Sequence, residues 1–348
     1  MALYDAVADL ELTVDDCRLE RHERETSSDF TRVTTVVSLR GDGVVGRGED
    51  VTYDTEDHDA LHATDGFDLT GTYTLDEFSD HLDDVSLFPT SPARETAHHY
   101  RRWAVESAAL DLALRQTETN FADTLGRRYD PVRFVVSTRL GDPPSFDRID
   151  AIQNVWPDAE FKLDPVPEWD DALIERLAAT DAVRVLDLKG LYEGTSVDQA
   201  ADPDLYRRIV AGFPDSVIED PALDDETRPL FDGHEDRVSW DYPITGVESV
   251  ENLPFEPRWL NIKPSRFGTL QSVLDTIDYC IDHDITMYGG GQFELDVGRE
   301  HIQAFASLFY PDAPNDVAPS GYNDPELDDN LSRSPLEQQA TLTGLDWH

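Results

Sequence analysis

The chain has 348 residues, and its 28 Lys and Arg against 73 Asp and Glu give a formal net charge of −45. Such an acidic chain repels phosphate backbones and anionic lipids, which excludes nucleic-acid and membrane-surface proteins. A hydrophobic fraction of 39% with 9% aromatic residues suffices for a folded core, and no apolar run reaches the length of a membrane span. Cys17 and Cys280 lie too far apart to suggest a disulfide framework, so a reducing cytoplasm is predicted.

The basic residues of the chain are almost all arginine. Of the 28, 25 are Arg and three are Lys, namely Lys162, Lys189 and Lys263. An acidic surface almost without lysine is typical of proteins from a salt-filled cytoplasm, where salt screens the self-repulsion. Because lysine can release its proton in a protein and arginine cannot, the three remaining lysines are candidate proton-transfer groups.

The N-terminal third has a mixed α+β pattern. Residues 32–39 are β-branched and continuous, 41–43 form a Gly-rich turn, and 44–51 resume an apolar pattern, which predicts a hairpin. Residues 75–86 and 92–116 have helical patterns, and the second lacks Gly and Pro from Arg101 onward and is apolar on most sides, which predicts a buried helix.

From about residue 131, eight short apolar segments alternate with helical ones. The predicted strands are 131–137, 159–164, 183–189, 216–220, 237–241, 259–263, 285–289 and 315–319, and the helical segments include 170–179, 203–212, 268–283 and 296–308. Eight strands alternating with helices predict a parallel α/β barrel, and a doubly wound sheet fits less well.

Five of the eight predicted strands end in ionisable residues. These residues are Lys162 and Asp164, Asp187 and Lys189, Glu219 and Asp220, Asp241, and Lys263. Buried parallel strands are expected to be apolar, and the carboxyl ends of barrel strands form the active-site face. The recurrence of charge at the same point of successive strands therefore predicts a functional site.

The order of these charges indicates a chemistry. Asp187, Glu219 and Asp241 are separated by 32 and 22 residues, about one strand–helix unit each. Three converging carboxylates need a cation, and oxygen ligands favour Mg²⁺ before Ca²⁺ or Mn²⁺. Lys263 follows on the next strand, where a lysine beside a metal is a plausible general base. A base and a metal together can abstract a proton α to a carboxylate through an enediolate.

At these residues the sequence resembles the enolase superfamily, in its mandelate racemase and muconate lactonizing branch. The resembling segments are Gly46 to Glu49 (Gly-x-Gly-Glu), the helical segment ending in Leu-Gly before the first barrel strand, Asp187 to Gly190, Glu219 to Pro221, Asp241, Asn261 to Arg266, and Gly289 to Glu294. Each segment is a weak signal, and their order and spacing along most of the chain make the resemblance strong.

The resemblance implies a modified (β/α)₇β TIM-type barrel with an N-terminal α+β capping domain. We expect the capping domain at 1–125, the barrel at 126–320 and a tail at 321–348 that packs back on the capping domain. The resemblance also implies Mg²⁺ on Asp187, Glu219 and Asp241, with Mn²⁺ as a substitute. The expected partner is a small carboxylate substrate that undergoes elimination, cycloisomerisation or epimerisation. The sequence leaves open whether the chain forms a homo-oligomer.

Two positions depart from the pattern of that branch. Many relatives end the second strand in Lys-x-Lys, and here Lys162 is followed by Asp164 in the second position; Lys189 stands where the family has Asn. Lys263 is therefore the predicted base, with Lys162, Asp164 or Lys189 as the second catalytic group. Glu294 and Asp316 are the predicted substrate-binding residues.

Two other functions remain open from the sequence. A barrel aldolase would form a Schiff base on Lys189 or Lys263. A barrel that keeps the metal site without catalysis is the second alternative, and Asp164 in a family lysine position keeps this interpretation open.

The net charge of −45 predicts a dependence of stability on salt. The Debye length falls from about 30 Å at about 0.01 M salt to about 3 Å at about 1 M, so repulsion is relieved as salt rises. We expect the melting temperature to climb with KCl well past about 0.5 M. Calorimetric melts between about 0.05 and about 2 M KCl test this, and a flat profile would contradict a halophilic adaptation.

Overall fold

A computed structural model describes residues 2–28, 30–192, 195, 197–328, 330–338 and 342–347. Within these ranges, no helix has both the length and the apolar character needed to cross a bilayer.

Twelve strands and eleven α-helices make up the described chain. The strands are β1 (Glu11–Val14), β2 (Asp16–Glu25), β3 (Thr31–Gly41), β4 (Val44–Asp50), β5 (Gly71–Thr74), β6 (Val136–Thr138), β7 (Phe161–Leu163), β8 (Val183–Asp187), β9 (Val217–Glu219), β10 (Val238–Trp240), β11 (Trp259–Ile262) and β12 (Thr286–Gly289). The helices are α1 (Thr55–His62), α2 (Leu75–Leu82), α3 (Thr96–Gln116), α4 (Phe121–Thr124), α5 (Asp147–Val155), α6 (Asp171–Ala178), α7 (Pro203–Gly212), α8 (Val247–Glu251), α9 (Pro264–Phe267), α10 (Leu270–Asp282) and α11 (Val297–Phe309).

The N-terminal region is an antiparallel sheet packed on one long helix. β3 is the central strand between β2 and β4, and β1 pairs separately with β5. β4 lies directly on α3, because a Cβ on Gly46 would come 2.2 Å from the amide nitrogen of Leu112, and one on Gly48 would come 2.0 Å from the carbonyl oxygen of Ala104. Glycine is therefore required at both positions by close backbone approach.

The rest of the chain forms the predicted barrel. Strands β6 to β12 pair in parallel and in chain order, with an α-helix in all but one of the connections between them; the connection from β9 to β10 contains two short 3-10 helices. The amide of Val135 donates to the carbonyl of Asn315 at 2.8 Å, and the amide of Asp316 donates to the carbonyl of Gly289 at 2.8 Å. These two bonds join the first and last strands through one short segment, which closes the barrel.

This closing segment is shorter than the predicted eighth strand. Residues 315–319 were expected to form it, and only Asn315 and Asp316 form bridges. The Asn315 side chain donates to the carbonyls of Arg133 and Tyr310 at 2.9 and 3.0 Å, and its oxygen accepts from the amide of Gly289 at 2.6 Å. A side chain that forms hydrogen bonds with backbone groups in this way replaces part of the backbone hydrogen bonding of a regular strand.

The N-terminal sheet contacts the barrel beside the carboxyl end of β12. The buried Glu49 carboxylate accepts from the amides of Leu295, Asp296 and Gly298 at 2.7, 3.0 and 2.9 Å. These donors lie just before α11 and in its first turn, where an anion is favourable. The Glu of Gly-x-Gly-Glu thus fixes the turn after β12.

The C-terminal residues pack on the N-terminal helices. The amide of Leu345 donates to Asp111 on α3 at 2.8 Å, and Arg115 pairs with Asp346. Trp347 is fully buried, with its ring 5.6 Å from that of Tyr129.

The contact between β4 and α3 predicts a strong destabilisation. Gly48→Ala is expected to reduce the free energy of unfolding by about 3 kcal/mol, because its Cβ has no room between two backbones. Gly212→Ala is the matched control, since its Cβ would meet only the Cγ2 end of Ile174 at 3.0 Å. Chemical denaturation measures both variants, and equal stabilities would contradict the packing described.

Candidate active site

Three carboxylates lie together at the carboxyl ends of adjacent barrel strands. Asp187 ends β8, Glu219 ends β9, and Asp241 directly follows β10. All three side chains are fully buried, and each offers an oxygen atom within 4.8 Å of those of the other two. The structure therefore brings together the three predicted metal ligands.

The pKa values of these acids differ because their neighbours differ. Burial raises the pKa of Glu219 well above its usual range, and repulsion from Asp187 and Asp241 adds to this effect. Burial also opposes ionisation of Asp187 and Asp241, but the basic side chains beside them outweigh it and hold both pKa values below their usual range. The cluster therefore ionises fully only with added positive charge.

Lys162 and Lys189 lie on one side of the acid cluster. Lys162, on β7, bonds to Glu219, and its ammonium nitrogen lies 3.4 Å from an Asp187 oxygen. Lys189 bonds to Asp187 and lies 3.8 Å from Asp164. Burial lowers the pKa of both lysines, but the carboxylates outweigh it and hold both pKa values above their usual range.

Lys263 lies on the opposite side, directly after β11. Its ammonium nitrogen is 2.9 Å from an Asp241 oxygen. The same carboxylate accepts from the hydroxyl of Tyr192 at 2.8 Å and lies 3.2 Å from the Nε of Arg266. Because β8, β9 and β10 lie between β7 and β11 in the sheet, Lys162 and Lys263 flank the acid cluster.

The backbone is in the left-handed region at two residues beside the cluster. Lys189 has φ 53° and Asp220 has φ 48°. For residues other than Gly, this region is sparsely populated, and it persists only where the surroundings enforce it. The amide of Gly190 donates to the carbonyl of Asp220 at 2.9 Å, so the two strained turns hold each other in place.

The acid cluster fits a divalent cation. The Asp241 Oδ1 atom is buried, and among the described residues it has an ion-pair contact with the Arg266 Nε at 3.2 Å but accepts no hydrogen bond. A buried carboxylate oxygen that accepts no hydrogen bond keeps lone pairs with which it can bind a further cation. A set of three carboxylates is also the ligand type that hard divalent cations prefer. Asp187, Glu219 and Asp241 would hold such an ion.

The remaining predicted residues divide into two groups. Asp164 and Asp316 line a cavity of about 380 Å³ above the cluster, and Asp316 lies 3.7 Å from the Lys162 ammonium nitrogen. Glu294 does not line this cavity. Its carboxylate accepts from the amide of Gln292 at 2.6 Å and pairs with Arg299 at 3.1 Å. These contacts stabilise the turn after β12.

Sequence reasoning assigned no individual role to several groups that contact the predicted metal ligands. Asn261 donates to Glu219 at 3.1 Å, and Tyr288 also bonds to it. Asn261 stands two residues before Lys263. Because side chains two residues apart on a strand point to the same face, the position of Lys263 could have indicated that Asn261 also faces the site. Asp220 accepts from the amides of Asp241 and Tyr242, both at 2.9 Å, and burial raises its pKa to about 7.

Comparison with protein families gives two adjoining matches. The model described as "Domain of unknown function (DUF8230) C-terminal domain" matches residues 128–324, more than half of the chain. The chain belongs to the DUF8230 family. The N-terminal domain model of the same family matches residues 5–124.

Two characterised relatives match this DUF8230 protein at low identity. The o-succinylbenzoate synthase of Bacillus subtilis (strain 168) is 24% identical over 242 residues, which cover 68% of this chain and 63% of that protein. The match therefore spans less than two thirds of that relative's length. The N-succinylamino acid racemase of Amycolatopsis sp is 26% identical over 281 residues, or 75% of this chain and 70% of that protein.

Solved structures of enolase superfamily members share the fold. The dipeptide epimerase from Methylococcus capsulatus, complexed with Mg ion, superposes with a TM-score of 0.66 at 18% identity, over 96% of this chain and 99% of that chain. The fold is therefore that of the enolase superfamily, which confirms the predicted fold, and the two sequence relatives are consistent with the predicted mandelate racemase and muconate lactonizing-like branch.

The geometry of the cluster predicts the effect of removing one charge from it. Glu219→Gln is expected to weaken Mg²⁺ binding by at least about tenfold, or about 1.4 kcal/mol, because one of three anionic ligands is lost. The fold should survive, since relief of carboxylate repulsion offsets part of the loss.

Titration calorimetry with Mg²⁺ measures this affinity, and Glu256→Gln on the exposed surface is the matched control. Unchanged Mg²⁺ affinity in Glu219→Gln would remove Glu219 from the site.

Proposed function

We propose that this protein is an Mg²⁺-dependent enzyme that abstracts the α-proton of a small carboxylate substrate and passes through an enediolate to elimination, cycloisomerisation or epimerisation. The observation that carries the proposal is the buried cluster of Asp187, Glu219 and Asp241 flanked by lysines on both sides. The names of the two sequence relatives, a synthase and a racemase, support a lyase or isomerase.

Each group at the site has a role in this chemistry. Lys263 takes the α-proton in its neutral amine form and becomes an ammonium ion, since its side-chain nitrogen lies at the cavity wall beside the cluster. A divalent cation held by the three acids supplies positive charge for the developing enediolate. Mg²⁺ is the proposed ion and Mn²⁺ its substitute, because both prefer oxygen ligands.

The second catalytic group lies on the face opposite Lys263. Lys162, Lys189 and Asp164 all line the cavity there. The two lysines, held as ammonium ions by their carboxylate partners, stabilise negative charge on the substrate. Asp164 lies 3.3 Å from Arg139 and 3.8 Å from Lys189, where it positions both cations.

The contacts of Lys189 argue against this residue as the nucleophile of a Schiff-base aldolase. A nucleophilic amine must be neutral, and the carboxylates beside Lys189 stabilise its ammonium form. Borohydride reduction with a panel of keto acids distinguishes the two functions, because only the aldolase leaves a reduced covalent adduct.

We also propose a domain organisation and a cellular compartment for this chain. We assign the capping domain to 1–125, the barrel to 126–320 and the returning tail to 321–348, which agrees with the contacts of Leu345 and Asp346 on α3. The free Cys17 and Cys280 support a reducing cytoplasm. The acidic surface supports a small-molecule partner in place of nucleic acid or membrane.

The proton-transfer role predicts the effect of an arginine at position 263. Lys263→Arg keeps the charge but cannot accept a proton near neutral pH, so turnover should fall by about 10²–10⁴. Deuterium exchange at the substrate α-carbon should fall in parallel, because it reports proton abstraction directly. NMR in deuterated buffer measures the exchange, with acid sugars, dipeptides, N-succinylamino acids and muconate-like acids as the substrate panel.

Lys189→Arg is the matched control, and it should reduce exchange less, since a charge at this position suffices. Mg²⁺ affinity and melting temperature should be nearly unchanged in Lys263→Arg. If Lys263→Arg keeps normal exchange while Lys189→Arg or Asp164→Asn loses it, the base has been assigned to the wrong strand.

A further inference from the structure

Lys189 and Asp164, the two residues that depart from the pattern of the resembling branch, are neighbours in the structure. The Lys189 ammonium nitrogen lies 3.8 Å from an Asp164 oxygen, and both side chains are 13% exposed and line the cavity above the acid cluster. Lys189 also bonds to Asp187, a predicted metal ligand. Lys189 therefore lies between one carboxylate inside the acid cluster and one carboxylate outside it.

Both oxygens of Asp187 have partners. The Oδ1 atom accepts from the amide of Lys189 at 3.1 Å. The Oδ2 atom bonds to the Lys189 ammonium group and lies 3.4 Å from the ammonium nitrogen of Lys162. A divalent cation that binds Asp187 competes with these groups, because positive charges on one oxygen repel each other. One ammonium group must therefore leave Asp187 when such a cation binds.

The two lysines differ in how readily they can leave. Lys162 has a 1% exposed side chain, and it bonds to Glu219 inside the cluster in addition to its contact with Asp187. Within the described part of the chain, the ion-pair contacts of Lys189 are with Asp187 and Asp164 alone. Lys189 is therefore the ammonium ion that can leave Asp187 and still keep a carboxylate partner.

The backbone at Lys189 is fixed, so that a change of partner involves its side chain alone. The amide of Gly190 donates to the carbonyl of Asp220 at 2.9 Å. A Cβ on Gly190 would come 2.3 Å from the amide nitrogen of Ala222, so this turn packs directly on neighbouring backbone. The flexible four-carbon stem of lysine can carry the ammonium ion from one carboxylate to the other.

Asp164 can accept this ammonium ion without losing its existing partner. The Nε of Arg139 lies 3.3 Å from the Oδ2 atom of Asp164, and Lys189 approaches the other oxygen, Oδ1. A carboxylate has about four lone-pair sites on its two oxygens, so two cations can bind it at once. The two carboxylate oxygens thus serve different cations.

We infer that Asp164 is a positioning residue for the metal site, which accepts the Lys189 ammonium ion when a divalent cation displaces it from Asp187. This inference rests on the proposed function, which places Mg²⁺ on Asp187, Glu219 and Asp241. Lys189 competes with the cation for Asp187, and Asp164 raises the affinity for the cation because it stabilises the displaced ammonium ion. That ion stays at the cavity wall, where it faces the substrate.

Titration calorimetry with Mg²⁺ at one fixed KCl concentration tests the competition. Lys189→Asn removes the competing ammonium ion and keeps a residue that tolerates the left-handed backbone, so it should tighten Mg²⁺ binding by about tenfold. Asp164→Asn removes the alternative partner and should weaken Mg²⁺ binding by about fivefold. In the double variant, Asp164→Asn should change the affinity by less than about twofold, because no ammonium ion remains to be displaced.

Asp316→Asn is the matched control, since Asp316 lines the same cavity and lies 3.7 Å from the other ammonium nitrogen, that of Lys162. Its effect on Mg²⁺ affinity should be the same with and without Lys189→Asn. Unchanged affinity in Lys189→Asn, or an effect of Asp164→Asn that is equally large in both backgrounds, would overturn the inference. A coupling of Asp316 to Lys189 as large as that of Asp164 would overturn it too.

NMR of the lysine side chains observes the change of partner directly. The chain has three lysines, so isotope-labelled lysine gives signals from three side chains, and Lys189→Arg assigns that of Lys189. At saturating Mg²⁺, the Lys189 side chain should be ordered in the wild type and mobile in Asp164→Asn, where its ammonium ion has lost both carboxylates. Equal order in the two proteins would contradict the role of Asp164, whether or not Lys189→Asn folds.

These measurements separate the inference from the proposed function. Equal Mg²⁺ binding by the wild type, Lys189→Asn and Asp164→Asn would overturn the inference and leave the proposed metal site standing. No Mg²⁺ binding by any of them would overturn both. The expected coupling between Asp164 and Lys189, without Mg²⁺-dependent exchange of an α-proton in any member of the substrate panel, would overturn the proposed chemistry and leave the role of Asp164 standing.

Discussion

Mutual repulsion of three buried carboxylates is the constraint on which the rest of the site depends. Asp187, Glu219 and Asp241 converge because parallel strands β8, β9 and β10 end at one edge of the barrel, and each carboxylate is fully removed from water. Burial of a charge without a partner is strongly destabilising. The fold therefore tolerates the cluster only with positive charge beside it, which the flanking lysines supply in part and which a divalent cation would complete.

The same cluster gives a physical reason why lysine is kept at three positions of a chain whose other basic residues are arginine. An arginine brings a planar guanidinium with five donors, and an ammonium brings a compact charge that fits between carboxylates. Lys162 lies within 3.7 Å of Asp187, Glu219 and Asp316 at once, in a space bounded by two strands. The surface needs no such compactness, and arginine serves there. The three lysines of the chain all line one cavity, which agrees with selection for this geometry.

Sequence patterns predicted the barrel and the three acids because both depend on local periodicity. A charged residue at the end of an apolar strand can be recognised in the sequence, and the parallel pairing of the strands then places these residues at one edge of the sheet. The roles of Asn315 and Glu294 depend on contacts with distant backbone groups, which no periodicity encodes.

The acidic surface and the cavity lined by the three lysines act on an anionic substrate at different distances. An anionic substrate is repelled by the net charge of −45 once it comes within about a Debye length of the surface, and it is attracted only where it faces the cavity. Molar salt shortens the Debye length to about 3 Å and removes the long-range repulsion, while contacts inside a semi-enclosed cavity are screened much less. Salt therefore acts here in the direction opposite to that in an enzyme with an attractive surface. It assists the approach of the anion and leaves the cations of the cavity to bind it.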